Sequence, residues 1–171
     1  YYTRFEKGQE YPYYCREKAE DNAKEEVMLD VPTMAEGYAY YAIGGRSVSE
    51  NNKILAYAVD TVSRREYTLY FKNLETSEIL SDKIENTTGG ITWANDNQTV
   101  FYVKKDPQTL RAYQIFKHRL GTDTSDDELV YEEKDETFSC SISKTKSRQY
   151  LMIGASQTLS TEYRFLDANT P

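Results

Sequence analysis

Cysteine, proline, histidine and tryptophan are all scarce: the 171 residues hold two Cys, four Pro, one His and one Trp. Cys15 and Cys140 stand far apart, and neither belongs to a Cys-x-x-Cys pair. That excludes a disulfide framework and a thiolate zinc site as the organising principle. Both thiols are expected to be small, buried groups in a reducing compartment, which places the protein in the cytoplasm. No metal and no cofactor is expected. Positive charge is in deficit as well, 21 Lys and Arg against 28 Asp and Glu, for a net charge of -7. Such a balance argues against nucleic acid or an anionic membrane as partner. No apolar run approaches the roughly 18 residues of a membrane-spanning helix. The first residues, Tyr1-Tyr2-Thr3-Arg4, read as strand rather than as a signal peptide. Without an initiator Met the chain is expected to be a fragment of something longer.

Catalytic signatures are missing too. "GGRSVS" and "GASQT" lack the closing glycine of a Gly-x-Ser-x-Gly elbow. "IGGRS" lacks the Gly-Lys-Ser/Thr ending of a phosphate loop. The acidic run "DTSDDE" (123–128) has neither the spacing nor the glycine of a calcium loop and reads as a solvated turn. "YEEKDE" (131–136) reads as an acidic connection, and no carboxylate pair stands out for acid–base work. The lone His118, in "IFKHRL", is expected in a strand as a structural or surface residue rather than as a base. No catalytic residue is nominated.

What the chain has is tyrosine, sixteen of them, and a phrase repeated three times. "SVSENNKILAYAVD", "TWANDNQTVFYVKKD" and "SISKTKSRQYLMIGAS" each set an apolar residue before a polar turn and an alternating apolar run. The landmark residues are Val48, Trp93 and Ile142. A Tyr opening a second strand recurs as Tyr67, Tyr113 and Tyr163, and a short apolar strand as "VMLD", "EILSD" and "ELVYEE". Landmarks that keep one order and a period of about 40–50 residues mark a repeat architecture. Each period holds four candidate strands, for the second roughly 89–94, 99–104, 112–119 and 128–132, separated by turns rich in Asn, Asp, Ser and Gly. Both faces of "ILAYAVD" are apolar, so the sheet should be covered on both sides. A β-propeller blade is such a unit. "EKAEDNAKEE" (17–26) alone looks helical, and its charge makes a solvated hairpin loop the better reading.

The expected fold class is therefore all-β: a partial β-propeller of about three to four four-stranded antiparallel blades, incomplete at both ends. The whole chain, 1–171, forms one propeller fragment, with a partial blade at 1–30, blades at 37–82 and 88–132, and a partial blade at 136–168. Open strand edges at the ends invite an edge-strand dimer. The hairpin tip "DTVSRREY" (60–67) supplies the candidate interdomain or substrate-gating residues Asp60, Arg64 and Arg65. Asp60 is expected to pair with Arg64 or Arg65, and the paired arginines suit a carboxylate-bearing partner. The tips at 104–113 and 156–163 should line up with this one on a single face.

The phrases "DTVSRREYTLYFKNLET", "WANDNQTVFYVKKDPQTLRAYQIFKHRLGT", "DELVYEEKDETF" and "SISKTKSRQYLMI" closely resemble the propeller domain of the prolyl oligopeptidase family of serine peptidases, in the branch that cleaves after Lys or Arg. The resemblance runs from about Tyr1 to Ala168. It implies an intact enzyme with a seven-bladed propeller, an α/β-hydrolase domain and a Ser-Asp-His triad. The propeller would be a filter that admits short basic peptides and keeps folded proteins out. The hydrolase partner domain is absent from this sequence, so the fragment is expected to be inactive. A free-standing propeller interaction module is the alternative, and a glycosidase-like enzyme using propeller carboxylates a distant third.

Overall fold

The computed structural model describes every residue from Tyr1 to Pro171, and nearly all its regular structure is antiparallel strand. The chain divides into two compact units, Tyr1–Tyr41 and Ala42–Pro171. In the first, β1 (Tyr2–Arg4), β2 (Tyr13–Arg16) and β3 (Glu26–Asp30) form a sheet in the order β1-β2-β3. The acidic stretch before β3 forms turns, not helix. A single-turn helix, α1 (Val31–Met34), follows β3, started by Pro32 and by the Asp30 carboxylate accepting from the Thr33 N–H at 3.1 Å. Cys15 is buried in this sheet and unpaired.

The second unit holds β4 (Ala42–Val48), β5 (Ile54–Asp60), β6 (Tyr67–Asn73), β7 (Ile79–Trp93), β8 (Thr99–Lys105), β9 (Ala112–Arg119), β10 (Glu128–Glu132), β11 (Ser139–Lys144), β12 (Tyr150–Ser156) and β13 (Thr161–Asp167). The sequence reads as separate strands at "EILSD" (78–82) and at roughly 89–94; the structure joins them into the 15-residue β7. Its first half pairs with β6, from Lys72 opposite Ile79 to Tyr67 opposite Thr87. Its second half pairs with β8, from Thr87 opposite Lys104 to Trp93 opposite Val100. The outer strand of one four-stranded sheet thus runs directly into the inner strand of the next. The formal result is a seven-stranded ladder, β10-β9-β8-β7-β6-β5-β4. The bend between its halves falls where the pairing register jumps from Thr87 to Ile91. A third sheet, β11-β12-β13, follows.

Two cores lie between successive sheets. Ala56, Ala58, Leu69 and Phe71 of the first meet Trp93, Val100 and Tyr102 of the second. Phe101, Val103 and Ile115 of the second meet Leu151 and Ile153 of the third, with Cys140 beside them. Because side chains alternate, each sheet shows one apolar face backwards and the other forwards, which is why β5 is buried from Leu55 to Asp60. Each large side chain so covered contributes roughly 1.5–3 kcal/mol. Burial also pushes the Cys140 thiol up to about 11, so it packs as a small hydrophobe.

The repeat holds at the level of hydrogen bonds. The inner turns are closed by the same contact three times, Ser49 N–H to the Ile54 carbonyl, Ala94 to Thr99 and Thr145 to Tyr150, at 2.9 Å each. Each turn carries one left-handed residue at the same place, Asn52, Asn97 and Arg148. By this register the partner of Val48 and Trp93 in the third sheet is Lys144, not Ile142. Likewise Ile54 lies opposite Asn73 and Tyr150 opposite Asp167, so Tyr163 corresponds to Leu69, not to Tyr67. Both corrections are slips of two residues, which leave a side chain on the same face and the alternation unchanged.

Candidate functional site

The inner strands β4, β7 and β11 lie side by side and converge. β4 and β7 each carry a Gly-Gly pair, Gly44-Gly45 and Gly89-Gly90, at a break in the pairing register. A Cβ on Gly45 would lie 2.0 Å from the Gly89 carbonyl oxygen, and one on Gly44 2.6 Å from the Tyr67 ring. The glycines let two backbones and one aromatic ring share a space that no side chain could enter. Two polar side chains bridge the remaining gaps: the Trp93 indole N–H donates to the Ser47 carbonyl at 3.0 Å, and the Thr92 hydroxyl to the Ile142 carbonyl at 3.3 Å. Between them lies an open groove of about 430 Å³, lined by stretches of all three inner strands and by Glu50.

At one end of the groove the three inner turns are tied together. Glu50 of the first sheet accepts from Lys144 Nζ at 2.6 Å and lies 2.9 Å from Arg148 Nη1, both in the third. Lys144 also donates to Asn95 Oδ1 of the second sheet at 2.8 Å, and Asn95 Nδ2 donates to the Arg148 carbonyl at 2.8 Å. The Asn51 N–H reaches Asn97 Oδ1 at 2.7 Å. Contact from the first sheet to the third past the second is possible only where all three crowd toward one axis, so the corner fixes the radial arrangement.

The opposite ends of the strands carry the β5–β6, β8–β9 and β12–β13 tips. Strand direction alternates, so these three ends fall together. The Asp60 carboxylate does not pair with an arginine, as the sequence suggested. It accepts from the backbone N–H groups of Val62, Ser63 and Arg65 at 2.8, 3.0 and 2.7 Å and is buried. Those donors lie within five residues, whereas a guanidinium would have to fold back over the tip. Arg64 sits 3.9 Å from Glu66, a weak exposed contact, and Arg65 is exposed. The Lys105 ammonium donates to the Arg65 carbonyl and so links the first two tips. Asp106 does at the second tip what Asp60 does at the first, accepting from the N–H groups of Gln108 and Thr109 at 2.9 and 2.7 Å. At the third, the Gln157 side chain takes the Leu159 N–H at 3.1 Å. Arg111 pins the connection to the third sheet through the carbonyls of Glu133, Asp135 and Phe138.

These turn bonds hold the Asp106 carboxyl below its ordinary value of 3.8, the Thr109 N–H being the largest cause, and the Ser125 N–H does the same for Asp123. A depressed carboxyl binds fewer protons folded than unfolded. Its contribution is therefore complete above the ordinary value and is lost as pH falls through the folded one. Amide exchange at Gln108 and Thr109 is expected to be flat from pH 7 to about 5 after correction for intrinsic rates. Protection should fall only on acidification below the ordinary aspartate value; loss already at pH 5 would contradict the assignment.

His118 is fully buried and structural, with a network that sequence reasoning did not reach. Its Nδ1 lies 2.7 Å from Asp127 Oδ1 and its Nε2 3.0 Å from Asp82 Oδ1. Tyr102 donates its hydroxyl to Asp127 at 2.7 Å, and the Gly121 N–H donates to Asp82 at 2.6 Å. Asp82 belongs to the first sheet, His118, Asp127 and Tyr102 to the second. The ring stacks on Phe71, with centroids 6.1 Å apart. Both nitrogens are engaged, so His118 has no free position from which to act as a base. The partners stand 36 and 9 residues away in the chain, and no local pattern announces them.

Residues 1–171 match the family model described as prolyl oligopeptidase, N-terminal beta-propeller domain. The chain is 40% identical over 186 residues to dipeptidyl aminopeptidase BI of Pseudoxanthomonas mexicana and 34% identical over 178 residues to protease 2 of Moraxella lacunata, covering all of this chain and 26% of each relative. Among solved structures, oligopeptidase B from Leishmania major superposes with a TM-score of 0.93 at 33% identity, over 100% of this chain and 24% of that one. Oligopeptidase B from Trypanosoma brucei gives 0.91 at 27% identity, again over 100% and 24%. The chain thus spans about a quarter of the length of the relatives it matches.

Proposed function

The chain belongs to the prolyl oligopeptidase family, as part of its N-terminal β-propeller domain, and from that premise we propose that it is the non-catalytic, substrate-gating wall of a serine oligopeptidase that cleaves short peptides after Lys or Arg. The observation that carries the reading is the convergence of three inner strands on one axis, closed by paired glycines and by the Glu50 corner. Such a wall admits an extended chain and turns away a folded one. Its net charge of -7 favours the approach of cationic peptides. The tip bearing Asp60, Arg64 and Arg65 lies on a face on which an α/β-hydrolase domain of the same polypeptide would rest, with the arginines toward its carboxylates.

Two measurements test this. The chain alone, incubated with a fluorogenic Lys or Arg peptide, is expected to release no product. Turnover that co-purifies with the chain and survives rechromatography would defeat the reading. In a full-length enzyme containing this sequence, kcat/KM should fall steeply with substrate length and vanish for folded proteins. Equal cleavage of a short peptide and of a folded protein with an exposed Arg loop would remove the gating role. The exposed β13 edge, with Tyr163 and Phe165 each 67% exposed, would let the isolated chain pair with a second copy.

A further inference from the structure

We infer that the corner at the end of the inner groove is a binding site for an extended peptide bearing a guanidinium group, centred on the Glu50 carboxylate and occupied in this structure by the chain's own Arg148. The inference rests on the gating reading for its peptide class and adds a ligand and a residue-level site to it.

The two oxygens of Glu50 are held differently. Oε1 takes the Lys144 ammonium at 2.6 Å, and Lys144, 13% exposed, is fixed a second time by Asn95 Oδ1. Oε2 faces Arg148 Nη1 at 2.9 Å, and the Arg148 side chain is 70% exposed. One contact is built into the corner; the other is a surface ion pair that solvent and competing cations reach. A carboxylate with one anchored oxygen and one exchangeable partner is a preorganised acceptor for an incoming guanidinium.

The backbone at Arg148 points the same way. Its counterparts in the first two turns are Asn52 and Asn97, at φ 61° and 60°, in a region that Asn tolerates well among non-glycine residues. Arg148 adopts φ 60° without that advantage. At that position the third turn places a guanidinium where the other two carry an amide, 2.9 Å from Glu50 Oε2.

The groove supplies the rest of the site. Val48, Ile91 and Ile142 give it an apolar lining, with Ser47, Thr92 and Ser143 between them. Its flanking strands, β4 and β11, are the edge strands of their sheets, the element to which an extended peptide adds by main-chain hydrogen bonds. A peptide lying along the groove brings its side chain to Glu50 by displacing the Arg148 guanidinium, which turns outward into solvent.

The test is a titration of the isotopically labelled 171-residue chain with N-acetyl-Gly-Arg-Gly-amide and with its citrulline counterpart, which keeps the shape and loses the charge. Saturable shifts at the Asn51 and Asn95 amides and the Trp93 indole are expected with the arginine peptide and not with the citrulline one. Glu50→Gln should abolish them. Arg148→Ala should tighten binding roughly two- to fivefold, the factor by which an exposed ion pair competes. Absence of saturable shifts, equal binding of the citrulline peptide, survival of binding in Glu50→Gln, or unchanged or weaker binding in Arg148→Ala would each overturn the site. Should Glu50→Gln fail to fold, the citrulline control and Arg148→Ala carry the test. No step depends on peptide cleavage, so a failure here is separable from a failure of the gating reading, which is measured by length-dependent hydrolysis in the full-length enzyme.

Discussion

Replacing His118 by Leu is expected to lower the free energy of unfolding by about 3–5 kcal/mol, the range found when one partner of a buried ionic network is removed. The substitution keeps most of the apolar contact with Phe71 but leaves Asp82 and Asp127 without their ring partners, in surroundings where both are nearly inaccessible. A carboxylate faces each ring nitrogen, at 2.7 and 3.0 Å, so the ring spans two partners at once. Asn or Gln offers a single amide and reaches only one carboxylate, so either should recover only part of the loss. For a chain of this size the melting temperature should drop by roughly 10 °C or more. Because Asp82 and His118 come from successive sheets, the damage should appear as loosening between sheets. Amide exchange should rise on β6 and β9 together while the Tyr1–Tyr41 unit is unaffected. A His118→Leu variant as stable as the parent, by urea titration at pH 7, would show that the network contributes nothing net.

That network also marks where sequence reasoning stops. The repeat was legible because turns and alternation are local: Asn52 and Asn97 announce a left-handed turn, and "ILAYAVD" announces a strand covered on both faces. Fold class, sheet order and the location of the tips follow from that. Register within the third sheet did not, because a slip of two residues preserves every apolar face. The continuity of β7 was hidden by its own composition. Asp82, Lys83, Glu85 and Asn86 look like a loop, yet they belong to a strand on which Lys83, Glu85 and Asn86 are exposed while Asp82 and Ile84 turn inward. Asp60 binds backbone N–H groups rather than the arginine that the sequence suggests, since pairing of opposite charges is visible in a sequence and unsatisfied backbone N–H groups are not. Nothing local marks Glu50 beyond its place in a polar turn: its partners Lys144 and Arg148 are 94 and 98 residues away (144 − 50 and 148 − 50), and only the convergence of three sheets brings them together.

Convergence itself depends on a residue with no side chain, and Gly45→Ala is expected to be the most disruptive single methyl that can be added to this chain. The new Cβ would fall 2.0 Å from the Gly89 carbonyl oxygen and 3.1 Å from its carbon. Nothing there is flexible: the clash is with backbone, at the point where β7 bends from one sheet into the next. Gly89 is itself hemmed in, since a Cβ built on it would lie 3.0 Å from the Tyr67 ring and 3.3 Å from the Ala58 methyl, which leaves its carbonyl little room to move away. Overpacking of an ordinary core costs about 1–3 kcal/mol, and a clash with main chain should reach at least the upper end, about 3 kcal/mol. Gly90→Ala is the control, since a Cβ there meets only the Thr88 hydroxyl at 3.4 Å, and it should change stability by less than about 1 kcal/mol. The pair separates close approach from generic glycine flexibility. If β4 and β7 are forced apart, the Trp93 indole N–H loses the Ser47 carbonyl and Glu50 is drawn away from Lys144. Trp93 fluorescence should then shift to the red as the ring meets water, in Gly45→Ala and not in Gly90→Ala. Equal behaviour of the two variants would mean that the inner strands do not meet at Gly45, and the axis toward which the three sheets converge would have to lie elsewhere.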